Sequence, residues 1–163
     1  MIISVVGNAS SILDKDHGEL IDSADTVIRC TYGVPIKEES QGKRTDILAA
    51  PQKRRKGFPE IVEYDQWWDT RNSKENKSLF EVLGYAPSTG IITLEMVKNH
   101  FPKADVWVFG FDWKATPTFY ERPDWVRHKE TPRGWFNNIE KHDYASEREY
   151  CLKLIKDQGW RLL

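Results

Sequence analysis

The chain has 163 residues, a net charge of −1 and 39% hydrophobic residues. That length suits one domain with a proper core, the near-neutral charge excludes a general pull toward nucleic acid or anionic membrane, and no apolar run approaches a membrane span. The two cysteines, Cys30 and Cys151, make no disulfide framework, and a strand that begins near residue 2 leaves no room for a secretory leader, so the expectation is a cytoplasmic protein with reduced thiols.

In chain order, Ile3–Val6 reads as a short buried strand rich in β-branched residues. It ends at Gly7, where the backbone can turn sharply and approach a ligand. Asn8, Ala9, Ser10 and Ser11 then lead into a helix predicted from about Ser10 to Ile21, with Gly18 inside it or near its end. Polar side chains beside the free N–H groups of a helix start make a ready phosphate site. The second and third glycines of the dinucleotide fingerprint are missing, and an ordinary strand–turn–helix is the plain alternative. Asp25–Cys30 follows as a second strand, completing a βαβ unit. Residues 31–42 read as loop and Thr45–Ala50 as a third strand. Residues 51–70 are less regular and carry Lys53, Arg54, Arg55 and Lys56, a basic run that is either solvated surface or a contact for an anionic acceptor, nucleic acid included.

Residues 72–83 form the next predicted helix. Pro87, Ser88, Thr89 and Gly90 open another, Thr89–His100, with Ser88 or Thr89 as N-cap and Ile91, Ile92, Leu94, Met96 and Val97 as buried positions. Asp105–Gly110 is a strong buried strand, and Phe111, Asp112 and Trp113 lie just past its carboxyl end, where open α/β sheets bind ligands. Residues 116–138, rich in Pro, Trp and Gly, read as a long functional loop or lid. His142–Glu147 precede a last helix over about 145–158, ended by Gly159, with a short strand after it. The seven tryptophans serve mainly as core. This order predicts one α/β domain with a mostly parallel sheet and helices on both faces. No His, Cys, Asp or Glu spacing indicates a metal site, so no metal or cofactor is expected.

These blocks resemble the sialyltransferases, which move a sialic acid from its cytidine monophosphate ester to a hydroxyl. The family's large motif resembles Val5-Val6-Gly7-Asn8, then Gly18, Ile21-Asp22, Asp25 and Val27-Ile28-Arg29, continuing to Gly42 and Lys43-Arg44-Thr45-Asp46. Its small motif is similar to Pro87-Ser88-Thr89-Gly90 with Val108-Phe109-Gly110-Phe111, and its very small motif to His142 and Glu147. In size and in its βαβ opening the chain also resembles the short bacterial sialyltransferases. Three features depart from the family: Thr31 stands where an Asn is usual, the animal enzymes' disulfide between the large and small motifs has no counterpart, and His128, the candidate for the third motif, lacks an aromatic neighbour.

The resemblance implies a Rossmann-like sheet in the sialyltransferase variant of the glycosyltransferase A type. It implies a metal-independent, inverting enzyme with a nucleotide-sugar donor and a glycan or other hydroxyl acceptor. The donor site expected here comprises Gly7, Asn8, Ala9, Ser10, Thr31, Ser88, Thr89, Gly90, Phe111, Asp112 and Trp113, with Asp112 and Trp113 placed to contact ribose or base and core packing the equal alternative for Trp113. His142 is the expected general base, because an imidazole titrates near neutral pH. Glu147 holds the helix start or orients that His, and His128 either pairs as a cation with the leaving phosphate or is a surface residue of the lid. Two other readings stand beside this one. The same fold could use another nucleotide sugar or acceptor, such as a modified DNA base, or the chain could be a non-catalytic nucleotide- or glycan-binding module; retention of His142 with Glu147 disfavours the module.

Overall fold

The computed structural model describes residues 1–31, 34–53, 63–116, 118 and 143–163. Their short apolar runs pair as the strands β1 (Ile2–Val6), β2 (Thr26–Cys30), β3 (Ile47–Ala50), β4 (Gln66–Asp69), β5 (Asp105–Phe109) and β6 (Arg161–Leu162). All pairings are parallel, in the spatial order β4-β3-β2-β1-β5-β6. Strands buried on both faces read as continuous apolar runs rather than alternating ones, as Ile3, Val5 and Val6 show.

Alternate residues of each strand face two separate cores. Ile3, Val5, Ile28, Cys30, Val106 and Val108 face the larger one, shared with α4 (Thr89–His100) and α5 (Tyr144–Asp157) and flanked by Leu79 of α3 (Lys74–Leu83). Val6, Val27 and Phe109 face the smaller one, closed by Ile12 and Ile21. Helices therefore lie on both faces, and the Rossmann-like α/β reading holds. Trp68 and Trp160 are core residues, and Trp107 and Trp113 pack against the cores.

Three local expectations are corrected. The helix predicted from Ser10 to Ile21 is broken into a 3-10 turn (Ser10–Asp14) and the short α1 (Gly18–Asp22), with Lys15 extended between them. The Leu13 carbonyl, which a continuing helix would use, accepts instead from Lys37 Nζ at 3.1 Å and Ser40 Oγ at 3.2 Å. Within the predicted loop 31–42 lies a single helical turn, α2 (Glu38–Gln41). The irregular stretch 51–70 contains β4, fixed on β3 by the buried Trp68 and by Trp67 Nε1 donating to the Ala50 carbonyl at 3.1 Å.

Many residues that carry the large-motif resemblance clamp the β2–β3 connection. The Asp22 carboxylate accepts from the amides of Lys43, at 2.9 Å, and Arg44, at 3.0 Å. Asp46 accepts from the Val27 amide at 2.7 Å and pairs with Arg44 at 2.9 Å. Arg29 is fully buried and donates from Nε to the Arg44 carbonyl and Thr45 Oγ1 and from Nη2 to the Gln41 carbonyl. Burial pushes its guanidinium down to about 10, against the opposing pull of Asp22 and Asp46.

Gly18 is pressed against α2: a Cβ there would lie 2.0 Å from the Glu38 carbonyl oxygen, a backbone atom that cannot swing aside. Gly18→Ala should therefore destabilise the fold by about 1–3 kcal/mol, as overpacking does. Chemical denaturation checks this, and an unchanged midpoint would contradict the α1–α2 contact.

Candidate active site

β1 leads to β2 on one side of the sheet, while β5 pairs with its other edge, so the sheet order reverses at the β1–β5 pair. The crevice beyond the carboxyl ends of such strands is the usual ligand position in open α/β sheets. The residues that follow the two strands stay stitched together there. The Gly7 amide donates to the Phe109 carbonyl at 2.8 Å and the Ala9 amide to the Gly110 carbonyl at 3.1 Å. Ala9 also forms an antiparallel bridge with Thr118. Ser11 donates from its amide to Thr116 Oγ1 at 3.2 Å and from its hydroxyl to Asp112 Oδ2 at 3.1 Å, across 101 positions of sequence.

The β5 side of this seam ends in a tight turn. Trp113 and Lys114 both have positive φ, 53° and 68°, and the Ala115 amide donates to the Asp112 carbonyl at 3.1 Å. That is the geometry of a type I′ turn, which favours Asn and Gly at its two central positions. The same Asp112 Oδ2 accepts from the Thr116 amide at 3.0 Å and from Thr116 Oγ1.

Phe111 joins the two motif turns. A Cβ on Gly7 would lie 2.8 Å from Phe111 Cδ2, and a Cβ on Gly90 would lie 2.9 Å from Phe111 Cε1. The ring is thus flanked by two backbones that come close because neither carries a side chain. Gly90 belongs to the first turn of α4, so the start of α4 and the end of β1 meet on one ring.

Glu147, in the first turn of α5, reaches that same start of α4. It is buried, and it accepts from the Ser88 amide at 2.8 Å and from Ser88 Oγ at 2.5 Å. A carboxylate at this position also suits the positive end of the α4 dipole. The Ser88 hydroxyl makes no cap bond within its own helix. α5 is fixed in turn by Asp143, which accepts from the Ala145 and Ser146 amides, both at 3.1 Å; the Ser146 hydroxyl holds its carboxyl below the ordinary range. Tyr85 Oη donates to the Asp143 carbonyl at 3.0 Å, and burial with the charges of Glu147 and Asp143 pushes its phenol up to about 12.

Of the remaining expected donor residues, Asn8 donates from Nδ2 to the Cys30 carbonyl at 3.0 Å, and its buried Oδ1 meets no donor among the described residues. Thr31 lies at the end of β2 with φ 59°, a costly conformation for a β-branched residue, and its amide donates to the Ala49 carbonyl at 2.7 Å. Ser10 opens a 3-10 turn after β1 where the sequence predicts an α-helix. Thr89 and Gly90 lie in the first turn of α4. Trp113 packs on the larger core. His142 and His128 lie outside the described residues, as do Arg54, Arg55 and Lys56 of the basic run; Lys53 sits over the Trp67 ring at 5.2 Å. Ser11 is legible in the sequence as part of the polar turn after β1, whereas its link to Thr116 exists only in three dimensions, because nothing in the sequence joins hydroxyls so far apart.

The family model described as Glycosyltransferase family 29 (sialyltransferase) matches residues 4–54. The fold is similar to that of a mammalian sialyltransferase in complex with Gal-beta-1-3GalNAc-ortho-nitrophenol, with a TM-score of 0.64 and 16% identity over 99% of this chain and 68% of that one. A second crystal structure of a mammalian sialyltransferase gives a TM-score of 0.65 at 16% identity over the same shares. No curated protein sequence matches the chain. Among the described residues no helix is long and apolar enough to cross a membrane.

Removing the Glu147 carboxylate would leave the Ser88 amide and hydroxyl without their acceptor. Glu147→Ala should cost about 1.5–3 kcal/mol of stability, the range for hydrogen bonds to a charged group. Equilibrium denaturation measures it, and a cost within error of zero would mean that the α4–α5 bond is idle.

Proposed function

We propose that this sialyltransferase-like glycosyltransferase carries sialic acid from its cytidine monophosphate ester to a glycan hydroxyl, by direct inverting displacement and without a metal or other cofactor. The observation that carries the reading is the meeting of Gly7 and Gly90 on one Phe111 ring. It brings the turn after β1 and the start of α4, the two segments expected to hold the donor, to a single cleft at the switch point of the sheet.

The reaction makes three demands: the departing phosphate must be stabilised, the acceptor must lose a proton, and the cation-like sugar must be kept from water. The amides of Thr89 and Gly90 at the α4 N-terminus supply fixed dipoles for the phosphate. Asn8 offers the buried Oδ1 that has no donor among the described residues, an acceptor suited to an N–H or O–H of the nucleotide. In this scheme the acceptor oxygen attacks the anomeric carbon while His142 takes its proton. The bond from that carbon to the phosphate oxygen breaks, and cytidine monophosphate leaves. His142 directly precedes Asp143, the cap of the helix that carries Glu147 onto Ser88. That adjacency in the chain supports a base near the start of α4. The nearby thiols are poor alternatives, because burial pushes both Cys30 and Cys151 up to about 12.

His142→Ala should lower transfer by about 10²–10⁴-fold, the usual contribution of general-base assistance, with calorimetric affinity for cytidine monophosphate kept. Transfer at the wild-type rate would remove His142 from the mechanism. Asn8→Ala should weaken cytidine monophosphate binding, and an unchanged dissociation constant would move the nucleotide elsewhere. A panel of nucleotide sugars tests the donor itself: turnover of cytidine-linked sialic acid supports the reading, and turnover of a different donor alone overturns it.

A further inference from the structure

Trp113 and Lys114 pay for a type I′ turn with two left-handed residues that are neither Asn nor Gly. Such strain persists only where the surroundings hold it. Here the holding group is the Asp112 carboxylate. Its Oδ2 takes the Ser11 hydroxyl, the Thr116 amide and the Thr116 hydroxyl at once, so one oxygen closes the turn on itself and fastens it to the segment after β1. Ser11 also donates its amide to Thr116 Oγ1 at 3.2 Å, which makes the fastening two-sided. Phe111 directly precedes this buckle, and its ring touches the positions where Gly7 and Gly90 lack a Cβ.

We propose that Asp112 is a positioning residue rather than a contact for the donor: its carboxylate buckles the strained 112–116 turn to Ser11 and thereby sets the Phe111 ring and the β1 turn in their places before any nucleotide arrives. The inference rests on the donor-site reading above. The oxygen that takes three donors has no lone pair left for a ribose hydroxyl, and the geometry of the turn and of Ser11, not a ligand, accounts for all three of its bonds. In the buckle the carboxylate's charge is useful, since hydrogen bonds to an ionised oxygen are about twice as strong as neutral ones.

The test is a rescue. Asp112→Ala should weaken cytidine monophosphate binding by about tenfold, measured by calorimetry well below the melting temperature, and should lower the melting temperature. Adding Lys114→Gly, or Lys114→Asn, relaxes the turn without restoring a carboxylate, because both residues accept positive φ. The double variants should recover most of the lost affinity and part of the lost melting temperature. Three results overturn the proposal. If the second substitution restores nothing, Asp112 contacts the nucleotide directly. If Asp112→Ala melts early but binds as wild type does, its role is stability alone. If wild type binds no cytidine monophosphate, the donor reading falls and takes the positioning role with it, while the melting-temperature cycle between residues 112 and 114 still reports whether the carboxylate holds the turn.

Discussion

The Phe111 ring sits where two backbones converge, and neither backbone can carry a Cβ. This contact depends on register. Val6 pairs with Phe109, so the residues just after β1 and β5 leave the sheet side by side. Gly7 then bonds back to the Phe109 carbonyl, and the ring two residues further on covers it. α4 lies on the same face, with seven consecutive buried residues from Ile91 to Val97, and its packing on β2 and β3 brings Gly90 to the other edge of the ring. The start of α4 and the turn after β1 are thus held together by packing on one aromatic side chain.

Carboxylates hold the surrounding segments. Asp22 ties α1 to the start of the β3 approach, Asp46 ties β2 to the same stretch, Asp112 ties the two strand ends, and Glu147 ties α5 to α4. Each accepts from backbone amides or hydroxyls of a distant segment. Such bonds to an ionised acceptor are stronger than neutral ones, and they fix geometry as well as adding stability. The segment that matches the family model, residues 4–54, contains the first two of these ties along with the β1 turn.

What the sequence shows well is what periodicity and punctuation encode. The Pro-Ser-Thr-Gly start and the apolar run behind it place a helix over Thr89–His100, and the structure has it over those residues. β1, β2, β3 and β5 are buried apolar runs and read as such. β4 is harder to see, because Gln66, Trp67, Trp68 and Asp69 form a half-buried strand whose identity comes from pairing with β3. The break in the predicted helix after Asp14 goes with the side chains of Lys37, just before α2, and Ser40, within it, taking the Leu13 carbonyl, a contact no local pattern announces. At the candidate site, Gly7 and Gly90 stand out as glycines, yet their reasons come from the fold: a Cβ on Gly7 would lie 2.4 Å from the Gly110 carbonyl oxygen, and at both positions it would meet the Phe111 ring. The paired hydroxyls Ser11 and Thr116 are ordinary polar residues until Asp112 gathers them.

The place of β1 in the sheet bears on how the chain comes together during synthesis. Its first partner, β2, is made within a few dozen residues, whereas its second, β5, is complete only at Phe109. Until then a half-sheet of β1 to β4 would present Ile2–Val6 as an open, apolar edge, the kind of edge that invites pairing with a neighbouring nascent chain. Closing it requires a contact of long sequence separation, which slows folding. The strand at the centre of the finished molecule is therefore the one most vulnerable to aggregation while the polypeptide is still being made.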